Sequence, residues 1–195
     1  MAVTFIKSRE KDASPELLVA EAIRLGIEHM KVEESALFYR NLRLNKRIAD
    51  TIRNCNNMLG MGGNFKNGCL YREYGLEAKW NKNIGELVVC DHSVPITELV
   101  RQHLVDGEPI ENLILSPVVR ITSESNRALT TKGFAKKGIK AGFPLFRYSR
   151  IGMRILTHTD VEINPETWSD EDHWSLVLET KELHPVLEHL KLWPQ

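Results

Sequence analysis

The chain has 195 residues, of which 42% are hydrophobic and 27% charged, and its 26 basic residues balance its 26 acidic residues. This length and composition predict a single domain with a hydrophobic core, and they exclude a low-complexity protein. No apolar run is long enough to cross a membrane, so a membrane partner is not expected.

The N-terminus and the cysteines indicate a compartment. The first twelve residues show neither the apolar region nor the cleavage site of a signal peptide. The cysteines are Cys55, Cys69 and Cys90, an odd number at wide spacing. Because this arrangement fits a reducing environment better than a disulfide framework, we expect a cytoplasmic protein.

Charge is distributed unevenly along the chain. Residues 116–154 hold nine basic residues and one acidic residue, a net charge of +8. Residues 155–195 hold nine acidic and two basic residues, a net charge of −7. A basic segment of this kind is typical of contacts with a nucleic-acid phosphate backbone. The alternative is that the two segments neutralise each other in the fold.

Helical patterns dominate the N-terminal part. Ser14 is a helix cap with Pro15 at the first helical position, and the apolar spacing extends this helix to about Leu25, with Gly26 near its end. A second helix is predicted over residues 33–58 from apolar residues at helical spacings. Its opposite face is basic, which indicates a solvated face or, alternatively, one that faces DNA.

A loop and a pair of short strands are predicted next. Residues 54–68 are rich in asparagine and glycine, which predicts a turn-rich loop. This loop lacks the Gly-Lys-Ser/Thr ending of a phosphate-binding P-loop, so a nucleoside-triphosphate site is excluded. Residues 70–80 mix aromatic and charged side chains and predict a strand pair.

A short apolar strand carries two chemically versatile residues at its end. The run Leu87 to Cys90 is apolar, Asp91 and His92 follow it directly, and Pro95 ends the strand. Residues 96–104 then predict a short amphipathic helix.

A second strand and a helix complete this unit. Residues 117–121 are apolar and predict the strand. Thr122 or Ser123 could cap the following helix, with Glu124 in the first turn, where an acidic side chain suits the helix dipole. Asn126 lies in this helix. The predicted unit is therefore strand, long connection, strand, helix.

The C-terminal part mixes loop, strand and helix patterns. The glycines and lysines of residues 133–144 predict a loop, and residues 145–158 predict one or two strands. The acidic run after Ser169 offers oxygen ligands for a metal, but Pro165 and Ser169 favour a helix start there. A terminal helix is predicted over residues 184–193.

A series of short motifs lies between Gly85 and Gly133. In order, it comprises Asp91-His92, Pro95, Gly107, Asn112-Leu113, Asn126 and Lys132-Gly133. This order resembles the ββα-metal nuclease superfamily in its HNH form. The chain departs from the familiar form because it lacks the Cys-x-x-Cys pairs for a structural zinc, and the separation of Asn112 and Asn126 is longer than in the compact version.

The resemblance implies a metal-dependent phosphodiester hydrolysis. His92 would be the general base that deprotonates water, and Asn112 would orient its ring. Asp91 and Asn126 would be oxygen ligands of Mg²⁺, with Mn²⁺ as an alternative. Strand alternation would point Asp91 away from His92 unless the strand end twists. The candidate phosphate contacts are Arg120, Arg127, Lys132, Lys136, Lys137 and Lys140.

We expect an α+β fold in a single domain. It would have a helical N-terminal part at about 1–68, a ββα-metal-like core at about 85–133 and a mixed α/β part at about 145–195. The first hypothesis is an endonuclease that cleaves double-stranded DNA, with a homodimer as a further expectation. The second is a non-catalytic nucleic-acid-binding or interaction protein that uses residues 116–154. A third is an assembly protein whose charged segments pair between copies.

Overall fold

Helices and one small mixed sheet make up the described chain, which confirms the α+β class. The computed structural model describes residues 15–37, 44–59, 69–77 and 88–191. The α-helices are α1 (Pro15–Leu37), α2 (Leu44–Met58), α3 (Ile96–Arg101), α4 (Ile110–Leu113), α5 (Ser123–Thr131), α6 (Phe146–Ser149), α7 (Asp170–Glu179) and α8 (His184–His189). The strands are β1 (Tyr71–Glu73), β2 (Val88–His92), β3 (Val118–Thr122), β4 (Ile155–Thr157) and β5 (Glu162–Ile163). None of the described helices is long and apolar enough to span a membrane.

Helix α1 is longer than its sequence pattern suggested. It continues through Gly26 instead of ending near Leu25. Ile27 and Met30 extend its buried face beyond the glycine. Their burial offsets the roughly 1 kcal/mol that a glycine costs inside a helix.

Helix α2 is shorter than predicted. The predicted helix over residues 33–58 begins instead at Leu44, because residues up to 37 belong to α1. Residues 38–43 lie outside the described residues. Part of the predicted loop at 54–68 is helical, since α2 extends to Met58.

The five strands form a sheet in the order β2-β3-β1-β4-β5. Strands β2 and β3 are antiparallel and pair Val88 with Thr122 and His92 with Val118. Strand β1 pairs in parallel with β3, whereas the pairs β1–β4 and β4–β5 are antiparallel. The described part of residues 70–80 forms one strand, β1, where a strand pair was predicted.

The predicted unit of strand, connection, strand and helix is confirmed. Strand β2 ends with Asp91 and His92, and β3 leads directly into α5, which packs against both strands. Thr122 caps α5, because its Oγ1 accepts a hydrogen bond from the backbone N–H of Ser125 at 3.1 Å. The connection holds α3, a π-helical turn (Gln102–Asp106) and α4.

A short helix lies where strands were predicted. Residues 145–158 form α6 and then β4. Arg147 and Tyr148 are consecutive in α6, yet both side chains reach Asp91. Successive side chains of a strand point to opposite faces, so a strand could not make this pair of contacts.

The acidic run after Ser169 forms the first turn of α7, as predicted in preference to a metal site. Ser169 and Asp172 form a capping box. His173 is buried, and its Nε2–H donates to the Leu115 carbonyl at 2.9 Å while its Nδ1 accepts from the Tyr71 hydroxyl at 2.8 Å. Burial lowers the pKa of His173 to about 4. Both ring nitrogens therefore have structural partners.

Candidate functional site

Asp91 and His92 project from opposite faces of β2. The Asp91 carboxylate contacts Arg147 and Tyr148 of α6, whereas the His92 ring contacts Asn56 of α2. This is the ordinary alternation of side chains along a strand. Although they are neighbours in sequence, the two residues enter different surroundings.

His92 is held by a buried amide. Its Nε2 lies 2.7 Å from Oδ1 of Asn56, which is 3% exposed and whose Nδ2 donates to the Ile114 carbonyl at 2.5 Å. Burial, together with the positive charges of Arg53 and Arg147, lowers the pKa of His92 to about 4. The ring is therefore neutral at pH 7, and a neutral imidazole has one nitrogen able to accept a proton.

Asp91 is bound by a buried guanidinium. Its Oδ2 accepts hydrogen bonds from Arg147 Nη2 and, at 3.0 Å, from the Tyr148 hydroxyl. The Arg147 guanidinium also donates to the carbonyls of His92 at 2.7 Å and Ala135 at 3.0 Å. Its side chain is 2% exposed. Arg147 is therefore a buried cross-link between the end of β2, α6 and the loop that follows α5.

The residues expected to bind magnesium do not fit that ion. Arg147 already compensates the charge of Asp91, and its guanidinium would repel a divalent cation on the same carboxylate. Within the described residues, no hydrogen bond joins the Asn126 side chain to Asp91 or His92. That part of the chain also contains no group of three or more His, Cys, Asp or Glu residues arranged to hold a metal. The donor set thus gives no support to the expected Mg²⁺ or Mn²⁺ site.

Asn112 forms no hydrogen bond with His92 within the described residues. Its amide donates to Glu108 Oε1 at 2.6 Å, and the contact expected from Asn112 is made by Asn56 instead. The reason is the long connection, which folds into α3, the π-helical turn and α4 and directs Asn112 into a cleft of about 400 Å³.

Asn56 has a sequence signal that can be recognised once α2 is defined. The buried face of this helix includes Ile48, Ile52 and Cys55. Asn56 follows Ile52 by four positions and falls on the same apolar face. A buried amide must find hydrogen-bond partners, so an asparagine at an apolar helix position marks a specific contact.

Arg120 is not a surface phosphate contact, contrary to expectation. It is 4% exposed and donates to the Glu77 carbonyl at 2.7 Å. It lies on β3, which has a neighbouring strand on each side and four buried residues out of five. The central position of β3 explains why this guanidinium is enclosed.

The other basic candidates are exposed. Within the described residues, none of them forms an ion pair with a carboxylate. Together with Arg150, they define the basic surface, which consists of Arg127, Lys132, Lys136, Lys137, Lys140 and Arg150. In the described chain, the basic and acidic segments are joined by one ion pair, between Arg154 and Glu162. Direct pairing of the two segments is limited to this contact within the described residues.

Two cations of the basic surface, Lys140 and Arg150, lie over aromatic rings. Arg150 lies over the Phe134 ring at 5.9 Å, and Lys140 lies over the rings of Phe143 at 3.8 Å and Phe146 at 5.1 Å. These contacts join the loop after α5 to α6. Arg147 connects the loop after α5 to the end of β2.

Comparisons with protein-family models, curated proteins and solved structures gave no significant match.

Proposed function

We propose that the protein binds the phosphate backbone of a nucleic acid through its basic surface. Six exposed cations without a carboxylate partner in the described chain carry this proposal. Their charges are available to an external polyanion, and binding would release the counterions that surround phosphates. The zero net charge of the whole chain does not oppose this, because the local field of a basic surface steers a ligand.

The loop that carries the lysines has a defined conformation. Gly138 has a φ of 81°, and a Cβ atom there would lie 3.0 Å from Phe134 Cδ1. Arg147 fixes the loop backbone through the Ala135 carbonyl. A preorganised loop loses less entropy when it meets a ligand. Contacts from lysine and arginine to phosphates carry no information on base sequence, so we expect the basic surface to bind without sequence preference, with double-stranded DNA as the partner.

The test compares two double variants that each remove two charges. Lys136→Gln/Lys137→Gln removes two cations from the basic surface, and Lys181→Gln/Lys191→Gln removes two exposed lysines from the acidic C-terminal segment. Fluorescence anisotropy with a labelled duplex at low salt should show weaker binding for the first variant and an unchanged or tighter Kd for the second. Equal weakening by both variants would contradict a localised surface.

A second candidate function is hydrolysis of the bound phosphodiester, and the position of His92 at the end of β2 carries it. The neutral imidazole lies at the end of β2, which Arg147 ties to the loop of the basic surface. A neutral histidine in a fixed position can take a proton from an attacking water, although a pKa of about 4 makes His92 a weaker base than a free imidazole. This candidate keeps His92 as the base that the HNH resemblance implied, but not the metal ligands Asp91 and Asn126.

Plasmid cleavage tests this candidate. Wild type, His92→Ala and the control His29→Ala, which changes an exposed histidine of α1, are compared with Mg²⁺, with Mn²⁺ and with a chelator. We expect wild type and His29→Ala to nick or linearise the plasmid, and His92→Ala to do neither. Cleavage that survives in His92→Ala would exclude this histidine as the base, and binding without any cleavage would leave the protein as a binder.

A further inference from the structure

The orientation of the Asn56 amide is fixed by its partners. The Ile114 carbonyl can only accept a hydrogen bond, so the atom that faces it at 2.5 Å must be Nδ2 of Asn56. The other end of the same amide, Oδ1, therefore faces His92. Because Asn56 is 3% exposed, water does not compete for either contact.

This orientation determines the tautomer of His92. Oδ1 of Asn56 is an acceptor, so the Nε2 atom 2.7 Å away must carry a hydrogen. In a neutral ring the lone pair then lies on Nδ1. Within the described residues, no side chain or backbone group forms a hydrogen bond with Nδ1.

We propose that Asn56 is the positioning residue of His92, which holds the ring in the Nε2–H tautomer and leaves Nδ1 as the proton acceptor at the end of β2. For what Nδ1 does, this inference rests on the hydrolytic candidate. A water would give its proton to Nδ1, and its oxygen would form a bond to phosphorus. The bond from phosphorus to one sugar oxygen would break, and that oxygen would leave with a proton taken from solvent. The resulting imidazolium keeps its Nε2–H bond to Asn56, so the ring does not turn during the transfer.

The hydrogen bond between Asn56 and the Ile114 carbonyl also joins two parts of the fold. Ile114 lies in the connection between β2 and β3, while Asn56 lies on α2. One amide therefore joins the N-terminal helices to the ββα unit at the residue proposed as the base. Arg53 lies one helical turn before Asn56, and its charge acts on His92. Helix α2 thus supplies the residue that contacts the proposed base, which the HNH resemblance did not anticipate.

Nitrogen-15 NMR of histidine-labelled protein tests the tautomer directly. At neutral pH, wild type should show His92 with a slowly exchanging proton on Nε2 and an unprotonated Nδ1. Asn56→Leu should lose that protected Nε2–H signal and show both tautomers in exchange. Asn57→Leu, which changes the exposed neighbour of the same type on α2, should keep the wild-type pattern.

The outcomes separate this inference from the function itself. A wild-type His92 protonated on Nδ1 would overturn the inference whether or not the protein cleaves DNA. If Asn56→Leu does not fold, Asn56→Asp replaces it, because the carboxylate keeps an acceptor oxygen and should retain the Nε2–H signal; loss of that signal in the folded variant would also overturn the inference. The expected NMR pattern without cleavage by wild type would reject the hydrolytic candidate alone.

Discussion

Asp91 and His92 show how one step along a strand changes the chemistry of a side chain. Asp91 meets a buried guanidinium and becomes part of a structural ion pair. His92 meets a buried amide and is kept neutral with one nitrogen available. The motif that suggested a shared metal site instead divides its two residues between the two faces of the sheet.

The pair between Asp91 and Arg147 predicts a stability effect. Asp91→Asn should lower the free energy of unfolding by roughly 3 kcal/mol, because it leaves a buried guanidinium without its counter-charge. Asp106→Asn is the matched control, since Asp106 pairs with Arg101 on the surface and its loss should cost less than about 1 kcal/mol. Urea denaturation of both variants measures the difference. Equal small losses would show that Arg147 does not depend on Asp91.

Among the secondary-structure elements, sequence patterns predicted those whose formation depends on residues nearby in the chain. The strands β2 and β3 and the helix start at Ser169 depend on neighbouring residues and were predicted, whereas the cap of α5 was narrowed only to Thr122 or Ser123. The continuation of α1 through Gly26 and the helical turn at Arg147 depend on tertiary burial, which a local pattern does not contain.

The candidate site was harder to predict than the elements that carry it. His92 was selected because the series of short motifs resembles an HNH nuclease, but its partner Asn56 lies 36 positions earlier in the chain. Asn112 was assigned the orienting role because of its place in a motif. The fold of the connection directs its amide to Glu108 instead.

The cap of α5 gives an element-scale prediction. Thr122→Val removes the hydroxyl that accepts from Ser125 N but keeps the side-chain shape. The free energy of unfolding should fall by about 1 kcal/mol. Ser123→Ala is the control, because the Ser123 hydroxyl forms no hydrogen bond with the described chain. Thermal unfolding followed by circular dichroism measures both, and a larger loss in Ser123→Ala would place the cap one residue later.

On the scale of the molecule, a zero net charge conceals a strong separation of charge. The cations of residues 116–154 are partly used inside the fold, at Arg120 and Arg147, and partly displayed on the basic surface. A polyanion would contact the exposed cations of the basic surface. The homodimer stays a prediction. The assembly hypothesis, in which charged segments pair between copies, also stays a prediction, and dissociation of the oligomer with rising salt would support it.

The salt dependence of duplex DNA binding tests the central claim most directly. For wild type, the logarithm of the association constant should fall linearly with the logarithm of salt concentration, by about 0.9 for each phosphate contacted. Lys136→Gln/Lys137→Gln should reduce that slope by about two. Binding that is absent at low salt, or that does not change with salt, would contradict the proposal that the basic surface holds a phosphate backbone.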